Sequence, residues 1–225
     1  MYFELSFSAV EKYFDRLKTK SFSERTLQET FYEKREDWKI PDTKRASQFM
    51  TFLEKKGVLF LTEFTDATNH RKIICSWKTK DDYTIMMGLK NGSYFSHYSA
   101  MYMHQLTLQI PKTYYLNFEH YAEMKPKSGK TGLSQQTIDK AFSQPQRKSS
   151  VSYSFKERKI FIINGKRTSK LGVLKQENKE QHYEYTDLER TLIDIAIRPV
   201  YAGGVFEVLE AYKNAKGKLD VLKLE

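Results

Sequence analysis

The sequence predicts an α+β fold, an N-terminal winged helix-turn-helix followed by a mixed α+β C-terminal domain. Three observations predict it. Residues 1–80 read as three helices and then two strands. The two strands are apolar, β-prone runs joined by a polar turn, the pattern of a hairpin. From Asp82 onward helices and strands mix without the alternating βαβ order of a parallel nucleotide-binding sheet. The expected domains are 1–80 and 82–225.

Each element has a local reason. In the first helix Val10, Tyr13, Phe14 and Leu17 share a stripe, with Ser8 as a candidate cap. Ser23 is placed to cap the second helix, which carries Leu27, Thr30 and Phe31 inward. After Pro41 the third helix should start from Asp42 or Thr43. It should bury Ala46, Phe49, Met50 and Leu53, and Gly57 should stop it. "VLFLTEF" and "RKIICSW" then form the hairpin around "TDATNH". Beyond Asp82, "KTYYLNF" is a strand, and "SVSYSFKERKIFIING" reads as two strands around Lys156–Arg158. "EMKPKSGKTGLSQQ" is a basic loop, and a short helix should follow from Ser134. The end of the chain is helical in "TDLERTLIDIAIRPVYAGG" and "GGVFEVLEAYKNA". In the former, Thr186 and Glu189 fit a capping box, and Leu188, Leu192, Ile195 and Ala196 form the apolar stripe.

In a winged helix-turn-helix the third helix enters the DNA major groove. The face left for that purpose here carries Lys44, Arg45, Ser47, Gln48 and Thr51. Arg and Lys suit guanine edges or phosphates, Gln suits adenine, and Ser or Thr suits either. Asn69, His70, Arg71 and Lys72 are expected at the wing tip.

Charge points the same way. The net charge is +10, and residues 125–170 alone hold 12 Lys or Arg against 2 Asp or Glu. So concentrated a block attracts phosphates or an acidic surface. Its two adjacent pairs, Arg147 with Lys148 and Lys166 with Arg167, flank a predicted hairpin and are expected to converge. The alternative is a solubilising surface.

Other chemistry is sparse. Cys75 is the only cysteine, so neither an internal disulfide nor a Cys-based zinc site is expected, and its apolar strand favours a buried, inert thiol. His97 and His104 lack a third nearby ligand, so no metal site is expected. Gly129–Gly132, "GKTG", falls short of a phosphate loop. Asp42, Glu54 and Lys56 have the residue types of a Mg²⁺-dependent nuclease, but the second pair falls on a helix instead of a strand. No apolar run is long enough to span a bilayer, and no secretory signal is read, so a cytoplasmic protein is expected.

Four stretches, in order, resemble a known family: "SHYSAMYMHQLTLQIPKTYYLNFE", "GLSQQTIDKAFSQPQRKS", "INGKRTSKLGV" and "TDLERTLIDIAIRPVYAGG". Together they are similar to the AbiEi-type antitoxins of bacterial abortive-infection, type IV toxin–antitoxin systems. The resemblance covers Gly88 to about Asn214. It implies an N-terminal winged helix that binds the operon's own promoter, and a C-terminal domain that counteracts a nucleotidyltransferase toxin. Arg190, Thr191, Asp194, Arg198 and Pro199 fall on the family's recurring pattern. Members often run on into more helix, so a C-terminally shortened form is one expectation.

The expectation is therefore a phage-defence antitoxin and transcription repressor without enzymatic activity or cofactor, a monomer in solution. Its expected partners are double-stranded DNA and the toxin, not a membrane. Two alternatives remain: a winged-helix transcription regulator with a ligand-sensing second domain, and a metal-dependent nuclease. Whether Arg190 and Asp194 form a solvated surface pair or a buried lock is open at this level.

Overall fold

A computed structural model describes residues 2–120, 134–136, 139, 143–144, 146 and 148–223. The chain opens with helix α1 (Tyr2–Arg16), strand β1 (Ser21–Ser23), helices α2 (Glu24–Lys34) and α3 (Ala46–Lys55), and strands β2 (Leu59–Asp66) and β3 (Arg71–Trp77). Then come α4 (Asp82–Met87), β4 (Tyr94–Phe95), α5 (Tyr98–Met103), β5 (Thr113–Glu119), β6 (Ser152–Phe155) and β7 (Arg158–Gly165). The last part holds β8 (Val173–Glu177), β9 (His182–Thr186), α6 (Leu188–Ile197), a 3₁₀ turn at Pro199–Tyr201 and α7 (Val205–Ala215).

The nine strands form one mixed sheet in the order β1-β3-β2-β6-β7-β5-β4-β9-β8. Most pairs are antiparallel, while β5–β7 and β4–β9 are parallel. The sheet passes from the N-terminal hairpin to the rest through β2 and β6, where Thr65 faces Ser154 and Asp66 faces Tyr153. So the architecture is α+β, and its sheet crosses the expected boundary near residue 80.

Three buried clusters hold the chain together. The first is aromatic: Val10, Phe14, Leu27, Phe31, Trp38, Phe49, Leu53 and Trp77 pack between α1–α3 and the strands. Phe14 and Trp77 stack with ring centroids 4.8 Å apart, a contact that adds to the area buried. The second joins Phe64 and Ile74 of the hairpin to Ile85, Met86, Phe95, Tyr114, Leu116 and Ile160. The third places Met101 and Leu106 against Leu192 and Ile195 of α6 and Val208 and Ala211 of α7. Cys75 is fully buried, and burial pushes its thiol up to about 12.

Several local expectations need correction. Ser8 lies inside α1, which already starts at Tyr2. Helix α3 starts after Arg45, not after Asp42 or Thr43; the Arg45 N–H donates to Gln48 Oε1 at 3.2 Å. Asp42 instead meets the Arg35 guanidinium at 3.0 Å. The cap of α6 is Asp187, whose carboxylate accepts the Arg190 N–H at 2.8 Å. Thr186 is used up by β9, and its hydroxyl lies 2.7 Å from that of Thr191. Ala196 is exposed, so the inward stripe of α6 narrows to Leu192 and Ile195 with Leu188 at its edge. Ser23, by contrast, caps α2 as expected, accepting the Thr26 N–H at 3.1 Å.

Candidate functional site

Two places gather exposed or strained chemistry. The first is the outer face of α3. Its apolar residues Ala46, Phe49, Met50 and Leu53 turn inward and leave Arg45, Ser47, Gln48 and Thr51 exposed. Two of these side chains are partly engaged within the helix. Gln48 accepts the Arg45 N–H, and the Thr51 hydroxyl donates to the Ser47 carbonyl at 3.0 Å. Lys44 is half-buried, with its ammonium 5.8 Å above the Tyr2 ring.

The β2–β3 turn is built around Asp66. One of its oxygens accepts from the Thr68 N–H at 2.8 Å, the Thr68 hydroxyl at 2.7 Å and the His70 N–H at 2.9 Å. Asn69 takes the left-handed conformation at φ 64°, which Asn tolerates. The turn presents Asn69, His70 and Arg71 outward, and Arg71 approaches Glu63 at 3.3 Å. Lys72 faces the other way, because strand side chains alternate. Its ammonium donates to the Leu89 carbonyl at 2.7 Å and lies 5.2 Å over the Tyr153 ring, and burial pushes its pKa down. It anchors the hairpin to the α4–β4 connection and is turned away from the tip.

Of the two basic pairs only Lys166 with Arg167 lies wholly within the described residues. Arg147 lies outside the described residues, as do the "GKTG" stretch and most of the loop before it. Lys148 lines a cleft with Gln146, Ser149, Asn164 and Arg198. Lys166 and Arg167 follow β7 but open onto different clefts. Lys166 faces Arg190 and Arg198, while Arg167 faces Asn91 and Glu119.

The second place is a cavity of about 390 Å³ between α6 and the ends of β5 and β7. Helical spacing puts Arg190 and Asp194 on one face of α6, and they line the cavity together with Arg198, the residue just past the helix end. Thr191 is on the other side, donating to the Asp187 carbonyl at 2.6 Å, and belongs to the fold. Arg190 donates to Asp194 Oδ1 at 2.9 Å, to the Thr168 hydroxyl at 3.2 Å and to the Leu171 carbonyl at 3.1 Å. The two side chains are only 16% and 13% exposed, so the pair is largely shielded from water. Asp194 Oδ2 has no hydrogen-bond partner among the described residues. Burial pushes its carboxyl above the usual range, and Arg190 only partly offsets this.

Behind Arg190 runs a chain of polar groups that the sequence reading missed. Asn117 donates to the Tyr94 hydroxyl at 2.7 Å, and Tyr94 donates to Glu119 at 3.0 Å. Glu119 also accepts from the Thr168 hydroxyl and from the N–H groups of Thr168 and Lys170. Burial opposes ionisation of Glu119, but these donors outweigh it and hold its pKa low. Gly165 makes room for Asn117, because a Cβ there would lie 2.6 Å from the carboxamide. His97 closes the inner end, buried, at φ 52°, with Nδ1 2.8 Å from the Ser96 hydroxyl. Burial pushes its pKa down to about 3, helped by Arg198 and Arg190, so the ring is neutral. A non-glycine residue at positive φ beside a buried ion pair is the kind of strain that collects at functional sites.

The nuclease-type residues are separated in their duties. Asp42 is taken by Arg35, Lys56 pairs with Glu4, and Glu54 is exposed on α3. Among the described residues no group of three His, Cys, Asp or Glu could hold a metal ion. The His104 Nε2–H donates to the Thr186 carbonyl at 2.7 Å and ties the end of α5 to the end of β9. Among the described residues no helix is long and apolar enough to cross a membrane. Comparison with protein-family models and with curated proteins finds no match.

Proposed function

We propose that the chain is a DNA-binding antitoxin of the type IV, abortive-infection kind. In this reading residues 1–80 are a winged helix-turn-helix that binds the operon's own promoter. The rest counteracts a nucleotidyltransferase toxin, in the cytoplasm and without catalysis. One observation carries the DNA-binding part: the order α1-β1-α2-α3-β2-β3, with the strands side by side as β1-β3-β2 and the polar face of α3 uncovered. That face and the turn carrying His70 and Arg71 are the elements a winged helix applies to a groove and its flanking backbone. The antitoxin part is supported by the resemblance over Gly88 to Asn214.

Fluorescence anisotropy with the promoter duplex and a scrambled duplex tests the first part. Replacing Arg45 and Gln48 with Ala is expected to cost about 1–3 kcal/mol of specific binding per lost base contact. Unchanged affinity and unchanged preference for the promoter duplex in the variant would remove α3 as the reader. Co-expression with a nucleotidyltransferase toxin encoded alongside, scored for growth, tests the second part.

A further inference from the structure

The cavity under α6 has the walls of a ligand site. Its outer side is aliphatic, from Leu171, Ile193 and Ile197, all exposed although large and apolar. Its inner end is polar and uncharged, from His97, Asn117 and Thr168. Three cations line it, Lys166, Arg190 and Arg198, against the single carboxylate of Asp194. Arg190 is consumed by its own bonds, as described above. Lys166 and Arg198 are exposed, and their side chains make no ion pair or hydrogen bond among the described residues. A volume of about 390 Å³ falls within the range of small-molecule sites, which are mostly apolar with a few convergent polar groups.

We propose that this cavity binds a small organic anion, a carboxylate with an aliphatic body. The head group meets Lys166 and Arg198, and the body covers Leu171, Ile193 and Ile197. The predominance of aliphatic wall argues against a bare inorganic anion, which would leave that surface wet. The surplus of cations argues against an amine. Arg190 and Asp194 are positioning residues here. Their mutual bond, with those from Arg190 to Thr168 and Leu171, fixes the α6 face against the segment after β7. The proposal goes beyond the antitoxin reading and stands or falls apart from it, because its readout needs neither promoter nor toxin.

Isothermal titration of the full chain tests it with three probes: octanoate, octylamine and inorganic phosphate. Octanoate is expected to bind at one site, with octylamine and phosphate each about tenfold weaker or more. The double variant Lys166→Gln/Arg198→Gln changes two exposed side chains and is expected to melt like the native chain while losing about tenfold or more in octanoate affinity. Phe206→Ser, on the exposed apolar side of α7, is expected to change nothing. No octanoate heat at millimolar concentration would overturn the proposal. So would equal binding of octylamine, an unchanged affinity in the double variant, or loss of binding in Phe206→Ser.

Discussion

Glu119 shows how much one side chain can hold in place. It ends β5, is nearly closed off from water, and accepts from Tyr94, from the Thr168 hydroxyl and from two main-chain N–H groups. Its pKa is held below the unfolded value, so its stabilisation is present above the ordinary carboxylate range and is lost as pH falls through the folded value. Thermal melts between pH 3 and 7 are expected to show a steeper acid limb in the native chain than in Glu119→Gln; parallel limbs would mean that Glu119 is not the group responsible. Asp194 has the opposite sign, since its pKa is raised: its ionisation weakens the fold as pH rises through the folded value. Removing it still leaves Arg190 buried and uncompensated. Asp194→Ala is therefore expected to cost about 3–5 kcal/mol in urea melts, with Arg198→Ala close to zero. Effects near zero in both would mean that Asp194, like Arg198, behaves as a surface residue. The spacing of Arg190 and Asp194 made the pair legible but left its burial open, and the Glu119 network was not read from the sequence. Asn117 and Glu119 alternate within "YYLNFE" and so share one face of an otherwise apolar strand, which is the one sequence signal for the buried polar chain. His97 gave no signal, because positive φ in a non-glycine residue is imposed by the surrounding fold.

At the scale of elements, periodicity was legible and ends were not. The buried stripes of α1, α2 and α3 follow the spacing of Val10 and Phe14, Leu27 and Phe31, and Phe49 and Leu53. Burial is a sum over many apolar contacts, so it tolerates local error. A cap depends on one hydroxyl or carboxylate meeting one N–H, and a strand ending at Thr186 moved the cap of α6 to Asp187. Strands β8 and β9 passed unread, because "VLKQE" is the sheet's edge strand with three of five residues exposed, and "HYEYT", inside that edge, fully buries only Thr186. Parallel pairing of β5 with β7 joins residues far apart in sequence, and local patterns carry no record of that. The hairpin β2–β3 makes a sharper distinction than its sequence did. Arg71 faces outward and Lys72 inward, so Arg71→Ala is expected to weaken binding to any duplex and lessen its salt dependence. Lys72→Ala is expected instead to lower the melting temperature with the salt slope kept. Reversed results in paired anisotropy and melting measurements would reverse the assignment of the two faces.

At the scale of the molecule, the continuous sheet limits how the chain can be divided. A fragment holding residues 82–225 loses β2, the neighbour of β6. It also loses Phe64 and Ile74, which pack on Ile85, Met86 and Phe155 in the second core. The rings of Phe64 and Phe155 lie 4.8 Å apart, and Lys72 adds its bond to Leu89. Truncating one buried Phe costs about 3–5 kcal/mol and one buried Ile about 2–5 kcal/mol. Whole domains are stable by only about 5–15 kcal/mol. The fragment is therefore expected to melt without cooperativity and to give poor dispersion in an amide NMR spectrum. It is expected to fail in growth rescue for that reason alone. The full chain carrying Arg45→Ala and Gln48→Ala keeps both cores intact, since both side chains are exposed. Under the proposed function it is expected to lose promoter repression and keep rescue, which separates the two proposed activities without cutting the sheet. A fragment that melts as cooperatively as the full chain would show the β2–β6 junction to be dispensable, and the two parts to be independent units joined edge to edge.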